Sequence, residues 1–238
     1  MNKDWTVWNF WPQGATDTTC VSALDVGFLY GDGLFETVRF EEGQLFFFQE
    51  HIDRLQRSCL ALQIQADLSC LTKNALERLL EVSGLAEGVG RLKILVARGT
   101  DTPTILAMAR QEPKPLHRPV QCRVFPEQRS CPMARHKTLS YSYYWYARKW
   151  AQANGCDYAI LVDPFDHVLE ADMANLFLIE DDLIIRPFET LNRLVGVVEQ
   201  VLLTRVFPEL GLACEQRLIQ PEEITQECSL FLTNSMVD

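Results

Sequence analysis

Lys137 lies in the run His136-Lys137-Thr138-Leu139-Ser140-Tyr141, and Glu170 follows Val168-Leu169, with Asn175-Leu176-Phe177 a few residues further on. A lysine amine forms a Schiff base with an aldehyde. A buried carboxylate holds a pyridine nitrogen protonated, so that the ring withdraws electrons from a bound carbon. An amine and a carboxylate in these settings suggest the two halves of a pyridoxal-phosphate site. Spacing alone leaves the plainer reading open, an exposed lysine and a strand-end surface carboxylate, because the chain has six lysines (3, 73, 93, 114, 137 and 149) and most lysines are solvated.

Among the elements that must hold these groups, residues 33–40 and 44–48 read as two strands joined through Glu41-Glu42-Gly43, a hairpin. A helix over 49–62 follows, with Ile52, Leu55, Cys59 and Leu62 on its apolar stripe and Arg54 and Arg57 off it. A second helix spans 71–82 and stops at Ser83-Gly84, and strands follow at 91–97 and 104–109. The proline-rich stretch from Gln111 to Pro119 reads as an interdomain linker, which divides the chain into an N-terminal α+β domain at 1–111, a linker at 112–120 and a C-terminal domain at 121–238. In that second part the pattern gives strands at 121–125, 157–163, 168–171 and 175–179, with helices at 143–154 and 197–207. Strand-rich with two helices, it fits a compact barrel-like α+β domain. The aromatic segment from Trp5 to Trp11 reads as core packing, with a pocket wall or a dimer contact as the alternatives.

The composition narrows the function. At 238 residues, 47% hydrophobic and 23% charged, the chain can bury roughly 70 to 75% of its unfolded surface and gives no case for disorder. A formal charge of −10 argues against nucleic acid as the main partner. No stretch is long and apolar enough for a membrane span, and the N-terminus lacks a secretory pattern, so the expected location is cytoplasmic. The eight cysteines form no C-x-x-C pair and have no close histidine, which leaves no metal site legible and makes most of them reduced core residues.

Taken together, five ordered motifs resemble the class IV aminotransferases, the pyridoxal-phosphate enzymes of fold type IV that include branched-chain aminotransferases, D-amino-acid aminotransferases and aminodeoxychorismate lyases. The motifs are Gly31-Asp32-Gly33-Leu34-Phe35-Glu36-Thr37, His51-Ile52-Asp53-Arg54-Leu55, the Lys137 segment, the run from Glu170 to Phe177, and Leu232-Thr233-Asn234-Ser235. The resemblance implies an α+β fold of two domains, a small N-terminal α/β sandwich and a C-terminal pseudo-barrel with helices. It also implies a homodimer, pyridoxal 5′-phosphate as cofactor and a small-molecule substrate. By the same resemblance Lys137 is the Schiff-base lysine and proton shuttle, Glu170 pairs with the pyridine nitrogen, and Arg54 holds the phosphate. Backbone amides of Val197 and Val198 after Gly196, and the Thr233 hydroxyl, complete the phosphate cup.

Two departures stand out. Many relatives read Gly-Ile-Thr-Arg where this chain reads Gly196-Val197-Val198-Glu199, so a hydroxyl is lost and an anion replaces a cation, with weaker phosphate binding expected. Relatives also continue for some tens of residues past the Thr233 segment, whereas the sequence ends at Asp238. Within the family, Thr37 resembles the lyases, with Thr37 as a catalytic side chain beside Lys137; Pro103 stands where lyases and D-amino-acid aminotransferases carry a second arginine. The leading expectation is therefore an aminodeoxychorismate lyase of folate synthesis, with Arg39 and Arg98 binding substrate carboxylates and Tyr30 and Tyr141 lining the pocket. A branched-chain or other small-amino-acid aminotransferase is the alternative, and a non-catalytic cofactor-binding relative the third reading.

Overall fold

The computed structural model describes residues 5–11, 14–16, 21–113, 118–225 and 228–236. Its contacts divide the chain into two compact units, one made of Met1–Leu116 with Lys137–Ser140, the other of His117–His136 with Tyr141–Asp238. The linker expected at 112–120 falls partly on residues 114–117, outside the described residues. Lys137 is thus grouped with the first unit, whereas its place in the sequence put it in the second.

The first unit carries β1 (Thr6–Trp11), β2 (Gly14–Thr16), α1 (Val26–Tyr30), β3 (Gly33–Glu41), β4 (Gln44–Leu45), α2 (Phe48–Ala61), α3 (Lys73–Val82), β5 (Val89–Ala97) and β6 (Thr104–Gln111). The strands form one antiparallel sheet in the order β2-β1-β6-β5-β3-β4. Alternation gives the sheet two faces. Leu34, Val38 and Phe40 of β3, with Leu92, Ile94 and Val96 of β5, meet Ile52, Leu55 and Cys59 of α2 and Leu76 and Leu80 of α3 in one apolar core. Trp8 and Phe10 join that core as the aromatic N-terminal segment predicts; the Trp11 side chain lies outside the described residues. Glu42 and Gly43, both at positive φ (48° and 75°), make the two-residue turn of the β3-β4 hairpin. The second strand is shorter than the sequence suggests, since Phe47 takes a left-handed conformation (φ 49°) and Phe48 already opens α2.

The second unit carries β7 (Cys122–Val124), α4 (Ser142–Ala153), β8 (Tyr158–Val162), β9 (Val168–Ala171), β10 (Asn175–Glu180), β11 (Leu183–Pro187), α5 (Val197–Val201), α6 (Phe207–Leu210), β12 (Ala213–Arg217) and β13 (Ser229–Thr233). A sheet ordered β7-β8-β9 and one ordered β12-β11-β10-β13 share a core of Ile160, Val162, Val168, Leu176, Leu178 and Ile185. Ala159 and Leu161 of β8 face Ala147 and Ala151 of α4 on the opposite side, which is why β8 reads as a continuous apolar run. Between α5 and α6 the helix widens into a π-type turn over Leu202–Val206, with the Phe207 N–H bonded to the Leu202 carbonyl. Pro208 lacks an N–H and its ring crowds the preceding turn, a physical reason for the widening that helical periodicity does not reveal.

Candidate active site

In the first unit Lys137 is held against the start of β3. The Phe35 N–H donates to the Lys137 carbonyl (2.8 Å), the Leu139 N–H donates to the Gly33 carbonyl (2.9 Å), and Leu34 bridges to Thr138. The glycines of the Gly31-Asp32-Gly33 motif make this approach possible. A Cβ on Gly33 would lie 2.6 Å from both Leu139 Cδ1 and the Val96 carbonyl oxygen, and Gly31 (φ 69°) lies directly against the Ser140 backbone. The Lys137 amine lies 4.5 Å from the centroid of the Phe35 ring.

Phe35, Thr37 and Arg39 occupy the sheet face opposite the core. Cross-strand pairing sets Thr37 beside Lys93, and Lys93 beside Met108; Arg39 pairs with Arg91, and Arg91 with Arg110. The Lys93 amine lies 5.1 Å from the centroid of the same Phe35 ring. Burial, then the charges of Arg91 and Arg110, push its pKa below the ordinary lysine value. This half-buried face is cationic, with Arg39 paired to Glu41 and both Arg91 and Arg110 paired to Glu112. Lys93 is the residue the sequence reading missed; its signal is a lysine in the middle of an alternating strand.

Glu36 points the other way, into the core. It is 1% exposed and accepts from Arg54 Nε (2.8 Å) and Nη2 (2.7 Å), while His51 Nδ1 lies 2.7 Å from its second oxygen. Burial pushes the Glu36 carboxyl upward, but the Arg54 charge and the hydrogen bonds from His51 and Arg54 outweigh it and bring the pKa from 4.5 to about 2. Arg54, off the apolar stripe in the sequence, is thus buried and oriented. Arg98 gives its guanidinium to Asp32 (2.7 Å) and to the carbonyls of Leu62 and Gln63 (2.8 Å each). These bonds tie the start of β3 to the end of α2 and engage Nε, Nη1 and Nη2 of Arg98. Tyr30 stands 76% exposed on α1.

In the second unit Glu170 is 4% exposed and its carboxylate is held by three donors: Arg129 Nη2 (2.8 Å) and the Tyr144 hydroxyl (3.1 Å) donate to Oε1, and the Leu194 N–H (3.2 Å) donates to Oε2. Tyr141 stacks on Tyr144 with centroids 4.5 Å apart, and burial pushes its hydroxyl pKa up. Asn175 pairs with Thr233 across β10 and β13, and its side chain donates to the Leu194 carbonyl (2.7 Å) while filling the space where Gly196 would otherwise carry a Cβ. Thr233 therefore shares a sheet face with a side chain that abuts the N-cap of α5. The first helical hydrogen bond there runs from Gln200 to Gly196, which leaves the N–H groups of Val197 and Val198 without helical partners. Thr233 is buried and, among the described residues, its hydroxyl has no hydrogen-bond partner. Two amides and an orphaned hydroxyl in this arrangement fit a phosphate group.

Glu199 does not offer its charge to that anion site. It is 1% exposed, accepts from Arg193 (2.6 and 2.8 Å) and Arg186 (3.2 Å), and takes the Gly196 N–H (3.2 Å). Its charge is thus compensated by Arg193 and Arg186 beside the start of α5.

Known proteins share this architecture. Residues 33–238 match the family model of Amino-transferase class IV, and the chain belongs to that family. Over 232 residues it is 26% identical to an aminodeoxychorismate lyase of Bacillus subtilis (strain 168), covering 92% of this chain and 79% of that protein. Over 235 residues it is 28% identical to a protein of Methanocaldococcus jannaschii provisionally named a branched-chain-amino-acid aminotransferase, covering 92% of this chain and 80% of that protein. A hypothetical aminotransferase from Mycobacterium tuberculosis, solved in its PLP-bound form, superposes with a TM-score of 0.83 at 22% identity, covering 97% of this chain and 87% of that one. The α+β fold of type IV implied by the motifs is the fold found.

Proposed function

We propose that this pyridoxal-phosphate enzyme eliminates pyruvate from 4-amino-4-deoxychorismate, leaving 4-aminobenzoate. When bound, the cofactor supplies an electron sink for charge that develops at the substrate carbon bearing the amino group. In this reading the Lys137 amine would hold the cofactor's aldehyde carbon before substrate binds and, once released by the substrate's amino group, would take the proton from that substrate carbon and pass it to the departing enolpyruvate. The Glu170 carboxylate, held by Arg129, Tyr144 and the Leu194 N–H, holds the proton at the pyridine nitrogen. The Thr233 hydroxyl, the Val197 and Val198 amides and Arg54 hold the phosphate. Thr37 and Tyr141 line the substrate site, with Thr37 orienting the group that Lys137 deprotonates.

The observation that carries the choice of substrate is the pairing of Thr37 with Lys93 on a face that also holds Arg39, Arg91 and Arg110. A substrate with two carboxylates suits such a face, whereas an aliphatic amino-acid side chain calls for an apolar one. The test is to load the purified protein with pyridoxal phosphate, add 4-amino-4-deoxychorismate, and assay 4-aminobenzoate and pyruvate. Equimolar formation of both, abolished in Lys137→Ala, is the expected result.

A second reading is supported by the relative with an aminotransferase name: amino transfer from a branched-chain or other small amino acid to 2-oxoglutarate, itself a dicarboxylate. Glutamate formation without 4-aminobenzoate would select it. Bound cofactor with neither product would select the non-catalytic reading. A homodimer completes the proposal on resemblance alone, and sedimentation of the loaded protein tests it.

A further inference from the structure

Resting on the assignment of Glu170 to the pyridine nitrogen, we propose that Arg129 and Tyr144 are positioning residues that decide where the proton shared by Glu170 and that nitrogen lies. Arg129 is 5% exposed, and its Nη2 donates to Glu170 Oε1 (2.8 Å) and to the Asn192 carbonyl (2.8 Å). Its Nη1 donates to the Tyr144 hydroxyl, which in turn donates to the same Oε1 (3.1 Å). The guanidinium carbon lies 5.0 Å from the centroid of the Tyr144 ring and 5.9 Å from that of Tyr143. One carboxylate oxygen therefore faces a fixed cation and a hydroxyl, while Oε2 receives the Leu194 N–H. Among the described residues, the other charged or titratable groups close by are Arg193, whose charge also reaches Glu170 although it is paired with Glu199, Tyr143 beside Arg129, Tyr141 stacked on Tyr144, and Asp172 paired with Arg148.

A proton between a carboxylate and a pyridine nitrogen goes to the group with the greater affinity for it. A cation and a hydrogen-bond donor held on the carboxylate stabilise its ionised form and reduce that affinity. The proton then stays on the nitrogen, which is the state that withdraws electrons. Without the cation, the buried carboxyl takes the proton and the ring loses its sink.

The test uses protein loaded with pyridoxal phosphate labelled with 15N in the ring, because the 15N chemical shift separates protonated from neutral pyridine directly. Wild type and R129K are expected to give the protonated shift, E170Q and R129Q the neutral one, and Y144F a displacement between them. R129Q keeps a donor near Oε1 and removes the charge, so a merely structural role would leave its shift at the wild-type value. A protonated shift in R129Q, or in Y144F where R129Q does not fold, overturns the inference alone. Cofactor absent from the wild type, or a protonated shift in E170Q, overturns the assignment of Glu170 and this inference with it.

Discussion

Glu199 and Arg193 form a two-point ion pair at 2.6 and 2.8 Å with both side chains 1% exposed. The pair stands where many relatives have a cation, and the Glu199 charge raises the pKa of Arg193 despite burial. Removing one partner leaves an uncompensated buried charge, which typically costs about 3 to 5 kcal/mol. E199A is therefore expected to lower the melting temperature of the cofactor-free protein sharply. E199R, which restores the relatives' cation, should lower it further by facing Arg193 and Arg186. A melting temperature unchanged in E199R would show that the pair does not hold the loop before α5.

The Glu36 carboxyl, brought from 4.5 to about 2 in the folded protein, makes stability depend on acidity. The unfolded chain binds this proton more readily, so the contribution is present above pH about 4.5 and is lost as pH falls toward 2. The displacement corresponds to about 3 kcal/mol. Urea unfolding of wild type and E36Q should show a gap of that order at pH 7 that narrows at pH 3. A gap of equal size at both values would rule out the ion pair with Arg54 as its source.

Both of these clusters depend on residues that the sequence reading treated differently. Periodicity placed α2, α3 and most of the strands, because alternating or helical burial leaves a direct trace in residue order. It also separated Arg54 from the apolar stripe, but it could not show that Glu36, in the middle of a strand, turns into the core to meet it. Lys93 was placed in a strand without a role; only the register of β3 and β5 sets it beside Thr37. The compensation of Glu199 was not legible, because its partners Arg186 and Arg193 come together only through folding. The motif glycines were legible as a motif, yet the reason for Gly33, a strand edge on which Leu139 lies, is a matter of three-dimensional approach. Strands such as β12, with much of its surface exposed, carry too little apolar patterning to be seen in advance.

Thr233 separates cofactor binding from stability. Its hydroxyl is buried and makes no hydrogen bond among the described residues, so its removal should cost the fold little. T233V keeps the shape and removes the hydroxyl. One hydrogen bond to a charged group contributes about 1.5 to 3 kcal/mol, which corresponds to roughly 10- to 100-fold in affinity. Titration with pyridoxal phosphate should show that loss, while the melting temperature of the cofactor-free protein stays the same or rises. Unchanged affinity would remove Thr233 from the phosphate site.

Lys93 gives the opposite pattern, with cost to the fold and benefit to the substrate. Its amine is half-buried beside Arg91 and Arg110, and among the described residues it has no ion-pair partner, which is why burial and its neighbours lower its pKa. K93M fills the same space without the charge and is expected to raise the melting temperature of the cofactor-free protein by a few degrees. If the amine meets a substrate carboxylate, the same change should raise KM roughly 10-fold or more with a smaller effect on kcat, the signature of binding lost equally from ground and transition states. A lower melting temperature with KM unchanged would make Lys93 part of the scaffold and leave Arg39 as the cation that meets a substrate carboxylate.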